Sequence, residues 1–319
     1  MTKARDLANL GNKTSLDEIN DAYDAGALSN RNMIINGAMQ VAQRGTSQTY
    51  SSNTSRGFVC DRWFAEAYPL NMTITQGTIA YEGITYKSSS LSSITGTWNF
   101  FQGIENGRTY NHNKTMTFSF VASGSGTIQP ITWAGTTGTT NFGSSITLTS
   151  TPTRYEATHT LSANSTGSDL YIGISGSGGS MNISLTQLEL GDTATPFEHR
   201  SYGDELAKCQ RYYQKFHDPS SAISQIMLIG LSSTYTQFSW WPPVEMRVKP
   251  TVGVTDTSPY WESHPWYSVG TSLTITQVSN AHVSRYGGEI AVVGNWNPAP
   301  VRGTNYTITG EVFYWDAEL

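Results

Sequence analysis

The sequence predicts a mainly β protein: an antiparallel jelly-roll sandwich, then a short helix and a smaller C-terminal β-sandwich, with a short helical segment at the N-terminus. Three observations predict it. Charged residues make up only 13% of the 319 residues, against roughly 25% in an ordinary globular domain, and Thr, Ser, Asn and 30 Gly fill the difference. Runs such as "MTFSFV" and "MNISLTQLEL" alternate apolar and polar residues at the period of a half-buried strand, and clusters of Gly, Ser and Asn separate them. Helical spacing appears in only two short places.

The first of these is residues 1–30. Ser15 stands three residues before Glu18 in a capping-box pattern; Leu16, Ile19 and Tyr23 follow at helical spacing, and Gly26 is placed to end the helix. So short a helix cannot bury its own apolar stripe, so the segment is expected to dock on a partner. Residues 31–200 form the predicted jelly roll. "MIINGAMQVAQRG" opens it with turn signals at Asn36-Gly37 and Arg44-Gly45, and "FVCDRWFAEAY", "NMTITQGTIAYEG", "KTMTFSFVASGSGTI", "SSITLTSTPTRYEATHTL", "SDLYIGISGSGG" and "MNISLTQLELG" follow as strands. "GISGSGGS" reads as a strand running into a hairpin turn. Six to eight strands in this stretch suit a jelly roll, and no repeat of solenoid or propeller length is visible.

Residues 201–217 are the second helical place. Ser201 can cap the helix, and Asp204 and Glu205 fall in its first turn. Lys208, Arg211 and Lys215 come later, the order the helix dipole favours. Leu206, Cys209, Tyr213 and Phe216 fall at a 3-4-3 spacing and are the candidate oligomer seam. Residues 218–319 return to β as a sandwich or barrel of five or six strands, with Phe313 to Trp315 tied into the sheet.

Net charge is −5, and no basic block favours nucleic acid. No apolar run approaches the ~20 residues of a membrane helix, so no membrane insertion is expected. "MTKARDLANLGNK" has no signal-peptide core, so folding in a cytoplasm is expected, with Cys60 and Cys209 as free thiols.

The order of motifs resembles the tail-fibre and receptor-binding family of tailed bacteriophages. "NMIINGAMQVAQRGTS" looks like that family's opening of a galactose-binding-like jelly roll, "VCDRWFAEA" like its Asp-Arg-Trp strand, and "FQGIENGRTYNHNKTMTFSFVAS" like its Gly-bounded loop and central strand. "TQLELGDTATPFEHRSYGDELAKCQRYYQ" resembles its exit from the jelly roll, and "PPVEMRVKPTVGV" and "DAEL" its C-terminal domain. The resemblance implies a homotrimer in the virion, assembled in the host cytoplasm. It implies docking to other tail or virion proteins through the N-terminal segment, and binding of host-surface polysaccharide without catalysis. It allows a structural calcium ion in the jelly roll, though no Asp-rich loop places one, and it implies no other cofactor. Two alternatives are a polysaccharide-degrading tailspike-like enzyme and a structural virion protein without glycan binding.

Glu189, Glu198 and His199 sit where charge is densest and are the obvious catalytic trio. No spacing selects a carboxylate pair, however, and a salt-bridged joint explains them without chemistry. No Gly-X-Ser-X-Gly elbow occurs, and the six histidines share no ligand spacing. Aromatics are the better lead, since sugar rings offer an apolar C–H face and a polar rim. Tyr260, Trp261, Trp266 and Tyr267 in "SPYWESHPWYSVG", and Asn295, Trp296 and Asn297 in "GNWNPAP", are the candidate glycan contacts; the Pro and Ser around them predict loops. Trp63 and Trp98 are expected in the first core, and of the neighbours Trp240 and Trp241 at least one in the second.

Overall fold

The computed structural model describes residues 31–50, 57–107, 113–133, 139–161, 169–215, 225–232, 234–254, 260–264, 268–270, 272–297, 305–309 and 313–318. The predicted N-terminal helix lies outside them. The chain divides into two compact units, Met1–Ser201 and Tyr202–Leu319.

The first unit carries strands β1 (Ser47–Tyr50), β2 (Gly57–Phe58), β3 (Trp63–Tyr81), β4 (Ile84–Ile104), β5 (Thr115–Ser125), β6 (Thr127–Trp133), β7 (Thr139–Asn141), β8 (Ile146–Thr147), β9 (Thr153–Thr160), β10 (Leu170–Ser177) and β11 (Ser180–Leu190). They form one continuous antiparallel sheet that curls into two layers. Register shows how. The 97–104 half of β4 pairs with β10, and its Ser89–Leu91 part pairs with β11, always in the same direction. β6 pairs with β10 while β5 pairs with β11. Layer A is therefore β7–β6–β10–β4–β3–β2, and layer B is β9–β5–β11–β4–β3–β1.

Long strands pass from one layer to the other at shared corners. Gly178 (φ 60°) and Gly179 (φ 75°) adopt the left-handed backbone that glycine tolerates, and the Gly178 amide donates to the Gly96 carbonyl at 2.9 Å. "GISGSGGS" is thus a bent strand, not a hairpin: β10 runs on into β11 along the same partner.

A second difference lies in β4. Its Ser-rich first half is not among the strands expected from the sequence, yet it is the strand that joins the layers. Ser88 and Ser89 are fully buried, and the Ser89 hydroxyl donates to the Cys60 sulfur at 3.1 Å. A third lies in residues 34–45, which hold no strand. Asn36 (φ 57°) turns the chain there. Its side chain accepts the Val41 amide at 3.0 Å and donates to the Val41 and Asp61 carbonyls. The local polar bonds replace the ladder that the apolar residues suggested.

The core between the layers holds Trp63, Trp98, Phe100, Phe118, Phe120, Phe142, Ile172, Ile174 and Ile183. Trp63 stacks on Phe100 at 5.0 Å, and Trp98 donates its indole N–H to the Gly178 carbonyl, as core tryptophans must when buried.

The second unit opens with helix α1 (Tyr202–Gln210), then β12 (Tyr213–Lys215), β13 (Gln225–Ser232), β14 (Tyr235–Trp240), β15 (Thr251–Val254), β16 (Tyr260–His264), β17 (Ser268–Gly270), β18 (Ser272–Ser284), β19 (Gly287–Asn297), β20 (Asn305–Thr309) and β21 (Phe313–Asp316). Two antiparallel sheets result, β12–β21–β15 and β17–β16–β20–β13–β14–β19–β18. Trp240 of one stacks flat on Trp315 of the other at 4.5 Å, and Phe238 meets Phe313 at 5.0 Å. The terminal "FYWD" is therefore the middle strand of its sheet. Trp241, one residue past the end of β14, is 73% exposed, so one of the Trp pair is core and the other is not.

The helix is shorter than its charge pattern predicts. It stops at Gln210, where the Tyr212 amide returns to the Cys209 carbonyl at 2.9 Å, and Tyr213 enters a strand paired with β21. The β-favouring tyrosine pair and the ladder offered by β21 outweigh a few tenths of a kcal/mol of surface charge pairing.

Candidate functional site

The outward side of layer A is apolar where a sandwich surface is usually polar. On β3, Trp63 points to the core and Phe64 away from it; on β4, Phe100 and Phe101 divide in the same way. The registers Phe58–Phe64, Phe64–Phe101, Phe101–Gly173 and Gly173–Ile131 place these residues in one row across five strands. At ~4.8 Å per strand the row is about 19 Å long. Gly173 interrupts it for a reason: a Cβ there would lie 2.7 Å from the Phe101 ring, which leans over that position.

Phe64, Phe101 and Ile131 are buried, and Phe58, Trp133 and Tyr171 around them are half-buried. The rings touch in series. Phe58–Phe64 centroids are 5.6 Å apart, Phe64–Phe101 5.7 Å, Phe64–Tyr171 6.1 Å and Tyr171–Trp133 5.1 Å, the last two edge-on. Arg44 lies 4.3 Å over Phe58.

Beside this row runs a polar one on the same face. Glu66 pairs with Asn99, Asn99 with Ser175 and Ser175 with Gln129, all half-buried. Phe64, Phe101 and Ile131 are at most 3% exposed, so the rings a pyranose C–H face can reach here are the half-buried Phe58, Tyr171 and Trp133, with a carboxylate, two amides and a hydroxyl beside them for its hydroxyls. The sequence signal was the doublets Trp63-Phe64 and Phe100-Phe101 with "ITW" and "LYI". Adjacent apolar residues on a strand cover both faces, not one.

The outward side of layer B is closed by its own chain. Ile79, Val121 and Leu185 pack with Ala38, Tyr81, Tyr86 and Phe197, and His199 stacks on Tyr86 at 5.8 Å and edge-on against Phe197 at 4.9 Å. The carboxylates hold this cover down. Glu189 accepts the Thr195 amide at 2.9 Å and the Thr195 hydroxyl at 2.6 Å; Glu198 accepts the Asn32 amide at 2.8 Å and lies 3.6 Å from Arg200. Arg200 donates to the carbonyls of Ile34 and Asn32. The charge-dense segment is a structural clasp on the first sandwich.

Among the predicted glycan contacts, Tyr260 and Trp261 lie on a strand, not in a loop. Trp261 pairs with Ile308 of β20 and Gly270 of β17. Asn295, Trp296 and Asn297 end β19, with Trp296 opposite Leu273. Pro259, Pro265 and Pro298 stand outside these runs, so every residue between them keeps the N–H that pairing needs. β16 and β19 are not hydrogen-bonded neighbours in the sheet. Trp266 and Tyr267 lie outside the described residues, as does Phe216. Of the predicted seam, Leu206 is half-buried on the helix and Cys209 is fully buried. Tyr213 is 4% exposed, stacked at 5.8 Å on Tyr314. Tyr213 thus packs inside its own unit, because the chain leaves the helix for a strand before the stripe can continue.

Cys60 and Cys209 are both free and buried. Among the described residues no group of three His, Cys, Asp or Glu side chains is arranged to hold a metal ion.

No protein-family model matches the chain, and no curated protein matches it in sequence. Solved structures resemble it over about half its length. One is the enzymatically active domain of tailspike protein 4 of bacteriophage CBA120 (17% identity, 50% of this chain and 22% of that one, TM-score 0.33). Another is a putative sugar binding protein from Bacteroides thetaiotaomicron (14% identity, 50% of this chain and 100% of that one, TM-score 0.35). A third is the CBM22-2 xylan-binding domain of Paenibacillus barcinonensis Xyn10C (14% identity, 46% and 98%, TM-score 0.33). The chain thus spans less than a quarter of the tailspike chain's length. Likenesses this slight do not set its function.

Proposed function

We propose that this chain is a host-attachment protein of a tailed bacteriophage that holds surface polysaccharide without cleaving it. The observation that carries the reading is the outward face of layer A, where the half-buried rings of Phe58, Tyr171 and Trp133, seated on the buried Phe64, Phe101 and Ile131, run beside a half-buried polar row. The motif order resembling phage receptor-binding proteins supports the virion setting. In this reading the protein works as a homotrimer docked through its N-terminal segment. Three copies of a weak site then act together by raising effective concentration.

A panel of capsular and O-antigen polysaccharides tests it. The full chain is expected to retain at least one of them with no new reducing ends. The pair Trp133→Ala and Tyr171→Ala is expected to weaken retention at least about tenfold, equivalent to about 1.4 kcal/mol. Unchanged far-UV circular dichroism would confirm that both variants fold. Release of reducing ends would replace this reading with the tailspike-like enzyme, and retention of none of the panel with a structural virion protein. Trp261→Ala and Trp266→Ala test whether the second unit contributes contacts of its own; retention unchanged in both removes them as a site.

A further inference from the structure

An exposed cluster at the β18–β19 turn of the second unit has a separate design. Trp241 is 73% exposed and Tyr286 56% exposed, large apolar surface to leave in water. Both are held in place. Pro242 and Pro243 follow Trp241 and restrict its backbone. Arg285 and Tyr286 form a two-residue turn, and the Tyr286 amide donates to the Ser284 hydroxyl at 3.2 Å. The Trp241 ring lies over Gly287, the next residue along: a Cβ at Gly287 would meet that ring at 2.9 Å, the Trp240 carbonyl at 2.4 Å and the Pro242 ring at 3.2 Å. Gly287 also has φ +115°. The bare backbone at 287 is what lets the indole settle against the β18–β19 turn.

Polar groups sit next to the rings. The Arg285 guanidinium lies 4.9 Å over the Tyr286 ring, donates to its hydroxyl at 2.6 Å, and is 2.9 Å from the Glu245 carboxylate. That ion pair makes the cluster close to neutral while leaving a carboxylate, a guanidinium and a phenol at its edge.

We infer that Trp241, Tyr286, Arg285 and Glu245 form a second glycan contact, selective for neutral hexopyranose over acidic sugar. A pyranose C–H face would lie on Trp241 and its hydroxyls would reach Glu245 and Arg285. A sialic or uronic acid would need an unpaired cation, and Glu245 already occupies Arg285. The inference rests on the glycan-binding reading above but uses a different unit and different residues.

The test is binding of the full chain to an array carrying neutral hexose oligosaccharides and, in parallel, sialylated and uronate-containing ones. Trp241→Ala and Gly287→Ala are each expected to lower the signal on neutral glycans at least about fivefold, Trp241→Phe to retain most of it, and Glu245→Gln to raise the signal on acidic ones. Melting curves check that the variants fold, and Trp241 is exposed enough for its loss to leave stability nearly unchanged. Retained neutral binding in Trp241→Ala, alongside loss in Trp133→Ala, overturns this inference and leaves the layer A reading standing. Loss in Trp241→Ala with retention in Trp133→Ala supports this inference and removes the layer A site. A wild-type chain that binds no glycan overturns both. A smaller oligomer by light scattering in Trp241→Ala would show the cluster to be a contact between copies, and would also overturn it.

Discussion

Burial governs the chemistry of Cys60. Its thiol is 1% exposed, donates weakly to the Met39 carbonyl and accepts the Ser89 hydroxyl, and burial pushes it from 9.0 up to about 12. Tyr50 behaves likewise: burial moves its phenol from 10.0 to about 12, partly opposed by Arg44. Each group keeps its proton in the folded state at a pH where the unfolded chain has lost it. Their stabilisation is complete below pH 9 and is lost as pH rises towards 12. The melting temperature is therefore expected to fall between pH 9 and 12, and Cys60→Ala to flatten part of that fall. An identical slope in the variant would sink the assignment. A thiol reagent at pH 8 is expected to leave both Cys60 and Cys209 unmodified until denaturant is added.

Strand corners are the decisive elements of the first unit. Gly178 and Gly179 are adjacent, but their surroundings differ. A Cβ at Gly178 meets nothing within 4 Å, whereas one at Gly179 would lie 2.3 Å from the Ser125 carbonyl. Gly178→Ala is expected to cost about 1–2 kcal/mol, the penalty of a left-handed backbone alone. Gly179→Ala should cost clearly more, because the β5–β6 bend must also shift. Urea midpoints of the two variants give the comparison, and equal midpoints would mean that the corner is not a close contact. This element was half legible. Gly-Ser texture announced a break in the strand, but the break sits in a pairing that continues with β4, and pairing is not a local property. β4 was hidden for the related reason that Ser has no strong local preference; its burial between β3 and β11 makes the strand.

At the scale of the whole molecule, two sandwiches follow one another along the chain, each with its own aromatic core. Glu189, Glu198 and His199, which the sequence reads as a salt-bridged joint rather than a catalytic trio, hold a covering segment. Trp240 takes the core place expected of at least one of the Trp pair, while Trp241 and Tyr286, the latter passed over in the sequence, stand at the surface. The homotrimer belongs to this scale. Light scattering is expected to give three times the 34.9 kDa chain mass, and a monomer mass would remove multivalency from the proposal.

The sequence by itself determined the β class, the core roles of Trp63 and Trp98, and the place of "FYWD" in a sheet. It also determined the core place of at least one of Trp240 and Trp241. Alternation, turn chemistry and aromatic content are local and can be read along a chain. Tertiary structure alone decided which outward faces are aromatic and which are covered, where strands bend rather than turn back, and where the helix stops. Each of these depends on a partner far off in sequence: Gly173 clearing space for Phe101, Gly96 meeting Gly178, β21 drawing Tyr213 out of the helix. No local propensity encodes a contact whose other half lies tens of residues away.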